Sequence, residues 1–75
     1  MPPMKTVDFE LDREYIELNQ LLKLVGACDS GGAGKALVAE GLVSVDGQPE
    51  SRKTAKIRAG QVVVCEGLRI RVKAA

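Results

Sequence analysis

The spacing of apolar residues changes at Gly41, and that change limits the chain to a fold with both helix and sheet. Before it, Leu18, Leu21, Leu22 and Val25 stand at i, i+3, i+4 and i+7, one apolar stripe on a short helix over about residues 18–25. Gly26 follows in the position where a left-handed residue commonly ends a helix. Asp29 and Ser30 announce a second helix with Ser30 as N-cap, running to about Glu40 and stopped by Gly41. Ala33, Ala36 and Leu37 supply its expected apolar face, and their small size predicts close packing on the first helix. After Gly41 the period is two. Val43 and Val45 share one face of a strand, and Asp46-Gly47 is a hairpin turn signal. Residues 62–65 and 68–72 make a second hairpin across Glu66-Gly67, with Leu68, Ile70 and Val72 on one face and Arg69, Arg71 and Lys73 on the other.

Upstream of the helices, residues 5–10 read as a short edge strand with Val7 and Phe9 on one face, and Tyr15-Ile16 as a second extended touch. Two prolines in residues 1–4 predict a loose tail. The expected architecture is therefore α+β: two short packed helices followed by a small, mostly antiparallel sheet. Seventy-five residues suffice for one domain, here residues 5–75, and leave no room for a cofactor fold beside a substrate domain.

Several function classes drop out. There is no histidine, and no serine or cysteine sits in a recognisable nucleophile setting, so an enzyme is not expected. Gly34-Lys35 resembles the end of a P-loop, but Asp29 stands where the first glycine belongs and Ala36 where Ser or Thr is required. Cys28 and Cys65 are too far apart in sequence for a zinc pair and are read as buried, reduced thiols. No metal and no cofactor are expected. No apolar run approaches the roughly 18 residues of a membrane span, and the N-terminus lacks the apolar core of a secretory signal, so the expected compartment is the cytoplasm.

The net charge of +1 hides an asymmetry. Residues 1–29 carry six acids against three bases, and residues 30–75 eight bases against four acids. A field divided in this way can bind a polyanion although the total is near zero. Two segments concentrate the effect. Ser30-Gly31-Gly32-Ala33-Gly34-Lys35 combines a helix start, whose N–H groups lack partners, with glycines that admit a phosphate and a lysine one turn on. Arg52, Lys53, Lys56 and Arg58 put four bases in seven residues. Each segment alone suits an ordinary capped helix start or a solvated loop better than a binding site. Phe9 and Tyr15 are the only aromatic residues, and their scarcity argues against recognition by stacking bases on aromatic platforms and for phosphate and shape recognition of folded RNA.

The order of these pieces resembles a known family. Leu21-Leu22-Lys23 with Gly26, Ser30-Gly31-Gly32, Lys35, Glu40-Gly41, Val43-Ser44-Val45-Asp46-Gly47, Glu50, Arg52, Lys56-Ile57 and Gly60 are similar to the S-four RNA-binding domain, the αL motif named for a ribosomal small-subunit protein. The resemblance runs from Ile16 to Val64, about two-thirds of the chain, and small stand-alone YbcJ-like members look closest. It implies binding of structured ribosomal or transfer RNA by Lys23, Ser30, Gly31, Gly32, Lys35, Arg52, Lys53 and Lys56; apart from the resemblance, a monomer with no membrane partner is expected. Similar chains often carry an acid and an alanine where this one has Ala33-Gly34. The missing acid removes the capping-box partner of Ser30, and Gly34 costs a helix on the order of 1 kcal/mol relative to alanine. A competing expectation keeps the fold but makes the chain a protein-interaction or assembly adaptor that does not touch RNA.

Overall fold

The structure is a computed structural model that describes residues 5–75; the expected loose tail at residues 1–4 lies outside the described residues. The chain runs β1 (Lys5–Leu11), β2 (Ile16–Glu17), α1 (Leu18–Leu24), α2 (Gly31–Ala39), β3 (Val43–Val45), β4 (Gln48–Pro49), β5 (Lys56–Ile57), β6 (Val62–Cys65) and β7 (Leu68–Ala74). Five strands form one sheet in the order β1-β7-β6-β3-β4, and β2 pairs with β5 in a separate two-stranded ribbon.

The α+β class and both hairpins agree with the sequence. The edge strand expected at residues 5–10 is present as β1; the departure from two helices followed by a mostly antiparallel sheet is that this strand, ahead of the helices, belongs to the main sheet and makes it mixed. β1 runs parallel to β7, with Val7 opposite Ile70 and Phe9 opposite Val72, while the other pairs in the sheet are antiparallel. A parallel pair needs a crossover between its strands. Here the crossover is nearly the whole chain, which brings the two ends of the described segment together. β7 is therefore an interior strand, and β1 occupies the edge.

Local chemistry explains the turns. Asp46 (φ 51°) with Gly47 (φ 82°), and Glu66 (φ 44°) with Gly67 (φ 83°), put two consecutive residues in the left-handed region. That is the geometry of the two-residue turn whose twist matches the flanking strands. Asp46 gains from it, because its carboxylate accepts hydrogen bonds from the Val62 N–H (2.9 Å) and the Gln61 side-chain amide (3.2 Å). The first turn thus fixes where β6 begins.

One face of the sheet carries Leu11, Val43, Val63, Cys65, Ile70 and Val72 into a core that also holds Leu18, Leu21, Leu22 and Val38. Full burial of each of these leucines contributes on the order of 1.5–3 kcal/mol. Leu24 and Leu42 remain exposed. Cys65 is buried, and its burial raises the pKa of its thiol, with the neighbouring Glu66 carboxylate adding to the effect. Cys28 is only half-buried, contrary to expectation, and its thiol donates to the Ser30 carbonyl at 3.3 Å. No described helix is long and apolar enough to cross a membrane.

The buried face of α2 also differs from the one expected. Gly34 and Val38 are its buried residues, Ala33 and Leu37 are half-buried, and Ala36 is exposed. The helix turns its smallest residue toward α1. A Cβ on Gly34 would lie 2.7 Å from the Asn19 carbonyl oxygen and 3.2 Å from the Asn19 Cα. The glycine that looked like a weak point in a helix is the point of closest approach between the two helices. An alanine there would require the pair to sit slightly further apart. A branched side chain has no such remedy, because the obstructing atoms are backbone. Gly34→Val is expected to lose about 2–3 kcal/mol, seen as a fall in melting temperature of roughly 10 °C or more; a melting temperature within about 3 °C of the parent would contradict this crossing.

Candidate nucleic-acid interface

α2 begins as the sequence indicates. Ser30 is extended (φ −153°, ψ 164°), and its hydroxyl oxygen accepts from the Ala33 N–H at 3.1 Å. Gly31 and Gly32 form the first turn, where helix geometry leaves N–H groups pointing out of the helix with a partial positive charge. Lys35 is exposed just beyond them.

The basic connection is held by an arrangement that the sequence did not disclose. The N-cap of α1, Glu17, makes no side-chain capping bond. Instead the connection supplies the cap: the Leu18 N–H donates to the Ala55 carbonyl (2.9 Å) and the Asn19 N–H to the Lys53 carbonyl (3.2 Å). Beside these bonds, β2 pairs with β5, placing Ile16 opposite Ile57 and Glu17 opposite Lys56. Ala55 and Ile57 are buried and anchor the segment from below, while Arg52, Lys53, Thr54 and Lys56 stay exposed. Arg52, Thr54, Ala55 and Lys56 line an open depression of about 460 Å³.

Asn19 joins the two segments. It is 3% exposed, the one buried polar residue among those described. Its N–H takes the Lys53 carbonyl, its backbone meets Gly34, and its side-chain Nδ2 lies 3.5 Å from the place a Gly31 Cβ would occupy. Its Oδ1 is buried and accepts no hydrogen bond among the described residues. Through this residue the start of α2 and the basic connection flank the same end of α1. Lys23 lies one turn further along α1, exposed, in its last turn.

The charges divide into paired and unpaired groups. Arg52 and Glu50 form a two-pronged ion pair, with contacts of 3.2 Å from Nε to Oε2 and from a terminal guanidinium nitrogen to Oε1. The Arg52 N–H also donates to Glu50 Oε2 at 3.0 Å. The Arg52 side-chain hydrogen bonds, followed by that N–H, hold the Glu50 carboxyl below its ordinary pKa. Arg58 pairs with Glu14 at 3.2 Å. Lys56 Nζ stands 4.9 Å from the centre of the Tyr15 ring, and the Arg58 guanidinium carbon 5.9 Å. Among the described residues, Lys23, Lys35, Lys53 and Lys56 make no ion pair.

The Arg69, Arg71 and Lys73 stripe lies elsewhere. Ile70 and Val72 between them point into the core, so the stripe is on the sheet face turned away from it. Arg71 and Lys73 share Asp8 of β1, at 3.6 and 3.2 Å. Since β7 is interior, the stripe is not the polar face of an edge strand.

The S4 domain family model matches residues 9–73. The chain belongs to the S4 domain family. Over 60 residues it is 48% identical to the "Putative RNA-binding protein YbcJ" of Escherichia coli K12, covering 80% of this chain and 86% of that one. Over 57 residues it is 40% identical to the "Probable ribosome maturation protein RlbA" of Bacillus subtilis 168, covering 76% and 80%. The solution structure of YbcJ from E. coli, described as revealing an αL motif involved in RNA-binding, matches with a TM-score of 0.68 and 43% identity, over 99% of this chain and 92% of that one. The S4 match reaches beyond the Ile16–Val64 resemblance into the end of β1 and most of β7.

In this S4 domain the sequence identified the cationic residues but not Asn19, Glu50 and Tyr15, which place them. A polar residue inside an amphipathic helix reads as solvated, and nothing local couples Tyr15 to residues some forty positions away. The Glu50–Arg52 pair has a pH signature. The folded pKa of Glu50 is depressed, so its contribution to stability is complete above the ordinary carboxylate value of 4.5 and is lost as pH falls through the folded pKa. Thermal melts of the parent and Glu50→Gln are expected to differ at neutral pH and to converge below that value; a difference constant down to strong acid would contradict the pairing.

Proposed function

We propose that this S4 domain is a non-enzymatic RNA-binding module for structured RNA, ribosomal RNA in particular, and that residues 5–75 act as one binding unit. Lys23, Ser30, Gly31, Gly32, Lys35, Arg52, Lys53 and Lys56 are its contact residues. The observation that carries this reading is the junction at Asn19, which sets an open helix start and a concave basic connection on one end of α1. The N–H groups at Gly31 and Gly32 suit a phosphate approaching glycine backbone. The lysines suit neighbouring phosphates along a folded backbone, where position and shape rather than base edges do most of the work. The kinship with a protein named for ribosome maturation favours ribosomal over transfer RNA. On this reading the chain works in the cytoplasm as a monomer, without a cofactor.

Filter-binding titrations against ribosomal RNA fragments at several salt concentrations test it. Affinity is expected to fall log-linearly with salt, and Lys35→Ala, Lys53→Ala and Lys56→Ala are each expected to reduce the slope by roughly 1. Arg52→Ala is expected to weaken binding more than Lys53→Ala, because it also leaves the Glu50 carboxylate without its partner beside the RNA. Arg69→Ala, on the far face, is expected to change little. Salt-independent binding, or equal effects from Arg69→Ala and Lys53→Ala, would contradict the proposal.

A further inference from the structure

Of the two aromatic rings, Phe9 packs against the core, while Tyr15 is half-exposed beside Lys56 and Arg58. Tyr15 also forms part of the wall of an open groove of about 720 Å³. Glu17, Gln20 and Leu24 continue that wall at i, i+3 and i+7, one face of α1 and its N-cap. Leu24 is 61% exposed, an apolar surface with nothing over it among the described residues. Neither Lys56 nor Arg58 lines the groove, which leaves the groove side of Tyr15 open. At its other end Gln20 connects the groove to α2: its Nε2 lies 3.3 Å from where a Gly31 Cβ would stand. The groove therefore runs between Lys56 and Gly31, residues from the two halves of the proposed RNA surface.

We infer that this groove receives one unpaired base of the bound RNA, stacked on Tyr15 and resting on Leu24. The inference rests on the RNA-binding reading and deepens it by naming the part of the RNA that enters. Charge selects the base over the backbone. Arg13, Glu14 and Glu17 lie along the groove; Arg13 is paired with Asp12 and Glu14 with Arg58, which leaves Glu17 as the charge without an ion pair among the described residues, and its carboxylate repels a phosphate but can accept a hydrogen bond from the amino group of a base. Lys56, beside the ring but outside the groove, is placed for the phosphate of the same nucleotide. One ring does not make a platform for a strand, but every base has a face that stacks on an aromatic side chain. The expected ligand is thus a folded RNA with a single bulged or looped-out nucleotide next to a helical stem.

The chain contains one tyrosine and no tryptophan, so its tyrosine emission reports on Tyr15 alone. Two RNA hairpins differing at one position provide the test: one carries a bulged adenosine, the other an abasic nucleotide at the same bulge, with the same number of phosphates. The adenosine hairpin is expected to quench Tyr15 emission and to bind about tenfold more tightly than the abasic one. Tyr15→Leu, with its fold checked by circular dichroism, is expected to bind both hairpins at the abasic level, and Tyr15→Phe to keep the preference. Equal affinity for the two hairpins with unchanged Tyr15 emission would overturn the inference while leaving salt-dependent RNA binding intact. An equal loss for both hairpins in Tyr15→Leu would also overturn it, since the ring would then only position Lys56 and Arg58. Failure of either hairpin to bind at any salt concentration would remove the RNA-binding proposal as well.

Discussion

Asn19 is the point at which three parts of the chain meet. Its N–H, one of the donors that a helix start leaves without an internal partner, is taken by the Lys53 carbonyl. Its backbone lies against Gly34 so closely that a side chain there would collide. Its amide reaches under Gly31 at the beginning of α2. The helix crossing and the position of the basic connection both run through the backbone of this residue, and its side-chain amide lies close to the start of α2.

Electrostatics then determine which cations remain available. Acids of the N-terminal part neutralise several bases other than the eight candidate contact residues. Asp8 takes both Arg71 and Lys73 on the far face of the sheet, Asp12 pairs with Arg13, and Glu14 pairs with Arg58. Exposed pairs of this kind stabilise the fold very little. Their greater effect is on the field, because they leave most of the unpaired positive charge on Lys23, Lys35, Lys53 and Lys56. A chain with a net charge of +1 thereby carries a local excess of positive charge without ion pairs. Arg52 differs from these lysines. Glu50 holds it in a fixed orientation while leaving its side chain 79% exposed.

What the sequence revealed and what it did not divides along physical lines. Both hairpins were legible because a two-residue left-handed turn admits few residue types, and Asp46-Gly47 and Glu66-Gly67 fit it. The Ser30 cap and the glycine ends of both helices were legible for the same reason. The parallel pairing of β1 with β7 was not, because strand partners distant in sequence leave no local mark. The buried face of α2 was misassigned because hydrophobicity pointed to Ala33, Ala36 and Leu37, whereas the crossing chose the residue with no side chain, Gly34. Of the candidate interface, the cationic residues could be identified from type and spacing. The residues that position them, Asn19, Glu50 and Tyr15, act through tertiary contacts and became evident only in the fold.

The central claim is that the start of α2 and the basic connection form one binding surface across Asn19. Backbone amide chemical shifts of the labelled protein, followed through a titration with a ribosomal RNA hairpin, test it most directly. The account predicts that Gly31, Gly32 and Lys35 shift together with Lys53, Thr54 and Lys56 along a single saturation curve, while Arg69, Arg71 and Lys73 stay in place. Movement of only one segment, two curves with separate midpoints, or shifts centred on β7 would contradict it.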